Sequence, residues 1–156
     1  MMADLAAAEH VEIAAPAAAV WAYRLDFTNL PEYNPDVTGV ERVTEGSGTG
    51  GAAGAGAHYR FTLATVHGPH PVTLSVTGAV EAKEVRAAME GGMSAHETFA
   101  VESLGEHRCL ASLSLWVELP PGLEPEMVDT LLASGREQIR KELDLMQEVL
   151  EARHAG

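Results

Sequence analysis

The sequence predicts an α+β domain in which a curved antiparallel sheet of about seven strands wraps around one long C-terminal helix. Three observations predict it. The middle of the chain alternates apolar and polar residues with period two. The C-terminal segment changes to helical spacing with one apolar stripe. Two short proline-marked segments after the first strand carry helix-start signals. A sheet with one apolar face and a helix with one apolar stripe bury both most simply when the sheet wraps the helix.

Each element follows in order. His10 to Ile13 reads as a short first strand, with Val11 and Ile13 on one face. Pro16 stands where a helix begins, and Ala17 to Leu25 is a short helix whose bulky apolar residues are Val20, Trp21 and Leu25. Asn29 to Pro35 is a second short helix, closed by its proline. Val37 to Val43 is a strand, with Val37, Gly39, Glu41 and Val43 alternating against Thr38, Val40 and Arg42. Gly46 to Ala57 contains only Gly, Ala, Ser and Thr and reads as a long flexible connection.

Five further strands follow, with Tyr59, Phe61 and Leu63, then Val72, Leu74 and Val76, then Val85, Ala87 and Met89, sharing faces. Ala95, Glu97, Phe99 and Val101 share the next, and Cys109, Ala111, Leu113, Leu115 and Val117 the last. Gly, Pro or charged turns separate these runs, as hairpins require. The final stripe is Val128, Leu131, Leu132, Gly135, Ile139, Leu143, Met146 and Leu150. Pro125 opens this helix, Glu124, Glu126 and Asp129 complement its positive end, and it runs to about Arg153. That is about 43 Å at the usual rise, long enough to cross a sheet.

A chain of 156 residues suits one domain, spanning 1–156. Lys+Arg number 10 against Asp+Glu 23, a formal charge of −13. Such a field repels phosphate backbones and anionic lipid surfaces, so neither nucleic-acid binding nor stable membrane insertion is expected. The charge-free stretch from Phe61 to Val80 holds too many polar residues to span a bilayer. Asp4, Glu9 and Glu12, with no Lys or Arg before Arg24, are the reverse of a secretory signal. The single Cys109 excludes an internal disulfide and a cysteine-cluster metal site, and a cytoplasmic location is expected. No G-x-S-x-G, Walker A, Rossmann or H-E-x-x-H signature is present, so no cofactor, no metal and no specific catalytic group is implied.

Three stretches carry a family resemblance. Val11-Glu12-Ile13-Ala14-Ala15-Pro16-Ala17-Ala18-Ala19-Val20-Trp21 is similar to a strand, a proline and an aromatic-bearing first helix. Leu30-Pro31-Glu32-Tyr33-Asn34-Pro35 is close to a characteristic turn, and Gly56-Ala57-His58-Tyr59-Arg60-Phe61 to the entry into a third strand. Together they resemble the START-like, or SRPBCC, helix-grip superfamily, and within it the polyketide cyclase/dehydrase and lipid transport branch. The resemblance implies a cavity between sheet and long helix that holds a small apolar molecule. Some members bind lipids, sterols or plant hormones, others close or dehydrate polyketide rings, and some act as co-chaperone modules. The matching motifs lie mainly at packing and turn positions, so they specify fold rather than function.

Within such a cavity, parity assigns Tyr59, Phe61, Leu63, Leu74, Val76, Phe99 and Leu113 to the sheet side. The stripe assigns Leu131, Leu132, Gly135 and Ile139 to the helix side. Gly135 reads equally as room for a ligand and as a close-packing position or helix bend. Glu97 shares the parity of Phe99, which would make it a desolvated acid or base, the weak catalytic candidate. The reading favoured for it is a solvated strand end, because buried unpaired Glu is rare. Tyr33 and Tyr59 either offer hydroxyls to a ligand or pack with those hydroxyls satisfied, and Asn34 more often bonds its own turn.

His67 and His70 have H-x-x-H spacing, but two histidines with no placed carboxylate make a weak metal site. His58 and His96 fall on the solvated face. Trp116 takes that same parity, at a subunit interface such as a homodimer's or turned inward by strand twist. Cys109 reads as an inert core thiol, and the run from Gly46 to Gly56 as a loop near the cavity mouth. Three functions stand at this point: binding of a small hydrophobic ligand, polyketide aromatase/cyclase or dehydratase activity, and a protein-interaction role motivated by the acidic surface and Trp116.

Overall fold

Seven strands form one antiparallel sheet in the order β1-β7-β6-β5-β4-β3-β2. They are β1 (Asp4–Ile13), β2 (Val37–Thr44), β3 (His58–Thr65), β4 (Gly68–Val80), β5 (Glu84–Glu90), β6 (Ala95–Gly105) and β7 (Arg108–Val117). The structure is a computed structural model and describes residues 4–44, 56–65, 68–91, 94–118 and 122–154. The loop expected from Gly46 to Ala57 lies outside them except for its last two residues, and so does His67. Gly56 and Ala57 are tied to Val76 by backbone hydrogen bonds of 2.9 Å.

Strands β2 to β7 are a meander, each paired with the next. β1 lies at the opposite edge from β2, so residues 14–36 must cross from one edge to the other. That crossing carries α1 (Ala17–Leu25), a 3₁₀ turn (Phe27–Asn29) and α2 (Leu30–Tyr33). Trp21 anchors α1 by donating its indole N–H to the Glu84 carbonyl at 3.0 Å. α3 (Pro125–His154) packs chiefly on β1, with α2 and β7 beside it. Side chains clip it there: Arg140 donates to the His10 carbonyl at 3.0 Å and Gln147 to the Glu12 carbonyl at 2.8 Å. Because the helix leans to the β1 side, open space is left beneath the rest of the sheet, bordered by residues of β2 to β7.

Three sequence expectations change. β1 begins at Asp4 rather than His10, because the Ala6–Ala8 run carries no alternation and is made a strand by pairing with β7. β2 does not keep one parity. Its register against β3 shifts between Thr38 and Glu41, and Gly39 sits there at φ +64°, a left-handed conformation that suits glycine. Val37 is therefore buried, whereas Gly39, Glu41 and Val43 face solvent and Val40 and Arg42 turn half inward. In α3 the buried stripe starts only at Ile139; Val128, Leu131, Leu132 and Gly135 are half-buried and Met127 is 53% exposed. The first half of the helix runs past the closely packed part of the domain.

Candidate functional site

A cavity of about 630 Å³ opens between sheet and α3. Its apolar walls come from Phe27 and Leu30 on the crossing segment, Phe61 and Leu63 on β3, Val72 and Leu74 on β4, Met89 on β5 and Leu115 on β7. The helix wall is mostly polar: Ser134, Gln138 and Glu142, each four residues apart, form one ridge beside Ile139. Asn34 and Asp36 border the same space, as do Arg24 and Glu97.

Arg24 is the centre of this polar corner. It projects from α1, is 1% exposed, and is the largest fully buried side chain. Its Nη2 donates to Glu97 Oε1 on β6 at 2.5 Å, and its Nη1 donates to the Tyr33 hydroxyl. Nη2 also lies 3.8 Å from Glu142 Oε1 on α3. The guanidinium stands over the rings of Phe27, Tyr33 and Phe99, with its carbon 5.1, 4.9 and 5.6 Å from their centroids. Asn34 and Gln138 donate to Glu142 Oε2 at 3.1 and 3.3 Å. Among the described residues, Arg24 Nε and Glu142 Oε1 have no hydrogen-bond partner.

The cluster binds α1, α2, β6 and α3 into one buried ion network, and its electrostatics are lopsided. Two carboxylates face one guanidinium. Burial pulls Arg24 down, but Glu97, Tyr33 and Glu142 outweigh it and hold its proton more firmly than usual. Burial pushes the Glu142 carboxyl from 4.5 up to about 7, a rise that Arg24 opposes and the nearby Glu97 reinforces. The Tyr33 phenol is raised above its ordinary value, again mainly by burial. A carboxyl that exchanges its proton near neutrality, beside a fixed cation in a largely apolar cavity, can accept or donate a proton to a bound molecule.

Of the residues read from sequence, Phe61, Leu63, Leu74, Glu97 and Ile139 border the cavity. Tyr59, Val76, Phe99 and Leu113 are buried in the surrounding core instead, Tyr59 against the Phe27 ring and Phe99 beneath the Arg24 guanidinium. Tyr33 is fully buried, and its hydroxyl serves Arg24 rather than the cavity wall. Leu131, Leu132 and Gly135 are not part of the wall; the Ser134–Gln138–Glu142 ridge takes that position. Glu97, favoured as solvated, is 7% exposed and paired with Arg24, a partner the strand pattern could not supply. Asn34 bonds both its own turn, through the Asp36 amide, and Glu142.

Neither Arg24 nor Glu142 is among the candidate site residues read from the sequence. A signal for each existed. Arg24 lies four residues after Val20 and three before Phe27, on the buried face of its helix. Glu142 lies between Ile139 and Met146 at spacings of three and four, inside the apolar stripe. Outside the cavity, Trp116 is half-buried and stacks on exposed His96 from the neighbouring strand, with ring centroids 5.2 Å apart. His70 is exposed, and His58 pairs with the Ser75 hydroxyl at 2.8 Å. Cys109 is buried, which pushes its thiol up, away from the reactive thiolate.

This sheet, the long helix and the space between them make up a helix-grip fold. Residues 5–151 match the sequence profile described as polyketide cyclase / dehydrase and lipid transport, and the chain belongs to that family. Solved structures share the fold at low identity. A START superfamily protein from Mycobacterium smegmatis is 21% identical, with a TM-score of 0.74, over 92% of this chain and 97% of that one. The Zhui aromatase/cyclase from Streptomyces sp. R1128 is 15% identical, with a TM-score of 0.75, over 96% of each chain. The di-domain ARO/CYC BexL from the BE-7585A biosynthetic pathway is 17% identical, with a TM-score of 0.76, over 100% of this chain and 48% of that one. No curated protein matches the sequence. Among the described residues, no helix is long and apolar enough to cross a membrane.

Proposed function

We propose that the protein encloses a small, largely apolar molecule in the cavity between sheet and α3. The observation that carries this reading is the space itself: about 630 Å³, walled on the sheet side by aliphatic and aromatic side chains, with polar groups along the α3 ridge and at the corner formed by Arg24, Glu97 and Glu142. Apolar burial supplies affinity at about 25 cal/mol per Å², and the corner fixes orientation. Phe61, Leu63, Leu74 and Ile139 hold the body of the molecule in this reading, and Arg24, Glu97 and Glu142 hold its polar end. Membership of the polyketide cyclase / dehydrase and lipid transport family supports it. Native mass spectrometry of the freshly expressed protein, with displacement of a neutral fluorescent probe, tests it. A bound small molecule and displaceable fluorescence are expected; neither appearing would remove the reading.

A second reading, polyketide ring closure or dehydration, is favoured by one observation. Glu142 borders the cavity, where burial pushes its carboxyl from 4.5 up to about 7, toward the range of a general acid or base at neutral pH. Turnover of a polyketide-like substrate that falls steeply in Glu142→Gln while the fold is retained would support it. Unchanged turnover in that variant would clear Glu142 of the role.

A further inference from the structure

The polar corner of the cavity is unbalanced in two respects. Both terminal nitrogens of Arg24 are already engaged, Nη2 on Glu97 and Nη1 on Tyr33, with Glu142 a further 3.8 Å from Nη2, and only its Nε is without a partner among the described residues. Its single positive charge meets two carboxylates before any ligand arrives. The hydrogen bonding is also incomplete. Glu142 Oε2 accepts from Asn34 and Gln138, whereas Oε1 is buried with no hydrogen-bond donor among the described residues. An unmatched buried acceptor costs free energy that a donor on a ligand would recover.

Resting on the reading that the cavity encloses a small apolar molecule, we infer that its ligand meets Glu142 with an uncharged hydroxyl, an alcohol or a phenol, and that carboxylates are turned away. A hydroxyl brings one O–H to one unmatched oxygen and adds no charge to the corner. A carboxylate has no proton to offer and sets a third anion against one guanidinium. An ammonium answers the excess negative charge, but it brings three N–H groups to a single unmatched oxygen, and stripping water from a cation whose other N–H groups face apolar walls such as Phe61 and Leu74 outweighs that attraction. The corner thus separates ligands of equal hydrocarbon length by the chemistry of one end.

The test is displacement of the neutral probe N-phenyl-1-naphthylamine from the full chain by dodecanol, dodecanoate and dodecylammonium, which share one hydrocarbon chain. At about pH 8, where Glu142 is mostly ionised, dodecanol should displace the probe at roughly tenfold lower concentration than either charged partner. Glu142→Gln removes one negative charge and should narrow the gap between dodecanol and dodecanoate. Dodecanoate or dodecylammonium equalling or surpassing dodecanol would overturn the inference while leaving cavity binding intact. An unchanged gap in Glu142→Gln would overturn the assignment of selection to Glu142. A probe that fails to bind at all would overturn the cavity reading, and the inference with it.

Discussion

The proton on Glu142 ties the stability of the fold to pH, and Glu142→Gln isolates the effect. In the unfolded chain this carboxyl releases its proton near 4.5; in the folded protein burial delays release to about 7. Between these values the folded state binds more protons than the unfolded one, so stability falls as pH rises. The contribution is fully present below about 4.5 and lost once pH passes about 7. A shift from 4.5 to about 7 corresponds to on the order of 3 kcal/mol. Urea unfolding of the native chain and Glu142→Gln across this range measures it. The stability of the native chain minus that of the variant should decline by that amount between acid and neutral pH. The subtraction removes the contribution of the titrating groups distant from this corner, which both chains share. Glu97 faces the same guanidinium and reinforces the shift, so Glu97→Gln should shrink the slope without abolishing it. A difference that stays flat, or that grows with pH, would refute the picture of Glu142 as a desolvated carboxyl in this corner.

Other perturbations have defined outcomes. Arg24→Met leaves Glu97 and Glu142 buried without their cation and should cost about 3–5 kcal/mol in denaturant unfolding; adding Glu97→Gln and Glu142→Gln should recover much of the loss. Leu143→Ala removes a fully buried side chain of α3 and should cost about 2–5 kcal/mol, whereas exposed Met127→Ser should change stability by less than about 0.5 kcal/mol. Gly39→Ala meets no atom within 4 Å, so its expected cost of about 1–2 kcal/mol comes from the left-handed backbone alone. Ala64→Trp adds a ring at an exposed position bordering the cavity and should weaken probe binding while thermal unfolding changes little; unchanged binding would mean that ligands enter elsewhere.

Much of the fold was legible because periodicity reports which side of an element meets the core. The alternations Tyr59–Phe61, Val72–Leu74–Val76 and Glu97–Phe99–Val101 all face inward in the structure. α1 occupies the expected Ala17–Leu25, and α3 begins at the expected Pro125 and ends one residue beyond Arg153. β2 departed because the register shift at Gly39 adds half a period, and a glycine in an alternating run does not announce whether it hosts a bulge. The Ala-rich start of β1 departed because its strand state comes from its neighbour β7 rather than from its own residues.

By itself the sequence determined the strand and helix inventory, the inward apolar faces, the family and the strongly acidic surface. Those properties depend on local spacing and composition, which a chain carries whatever its partners. Tertiary structure alone decided that Arg24, Glu97 and Glu142, on three separate elements, converge in one buried corner. It also decided that α3 leans toward β1 and leaves the cavity beneath the rest of the sheet. Charge pairing of Arg24 with Glu97, 73 residues away, and with Glu142 on the last helix leaves no periodic trace, because each partner is stabilised by a group that only folding brings within a few ångströms.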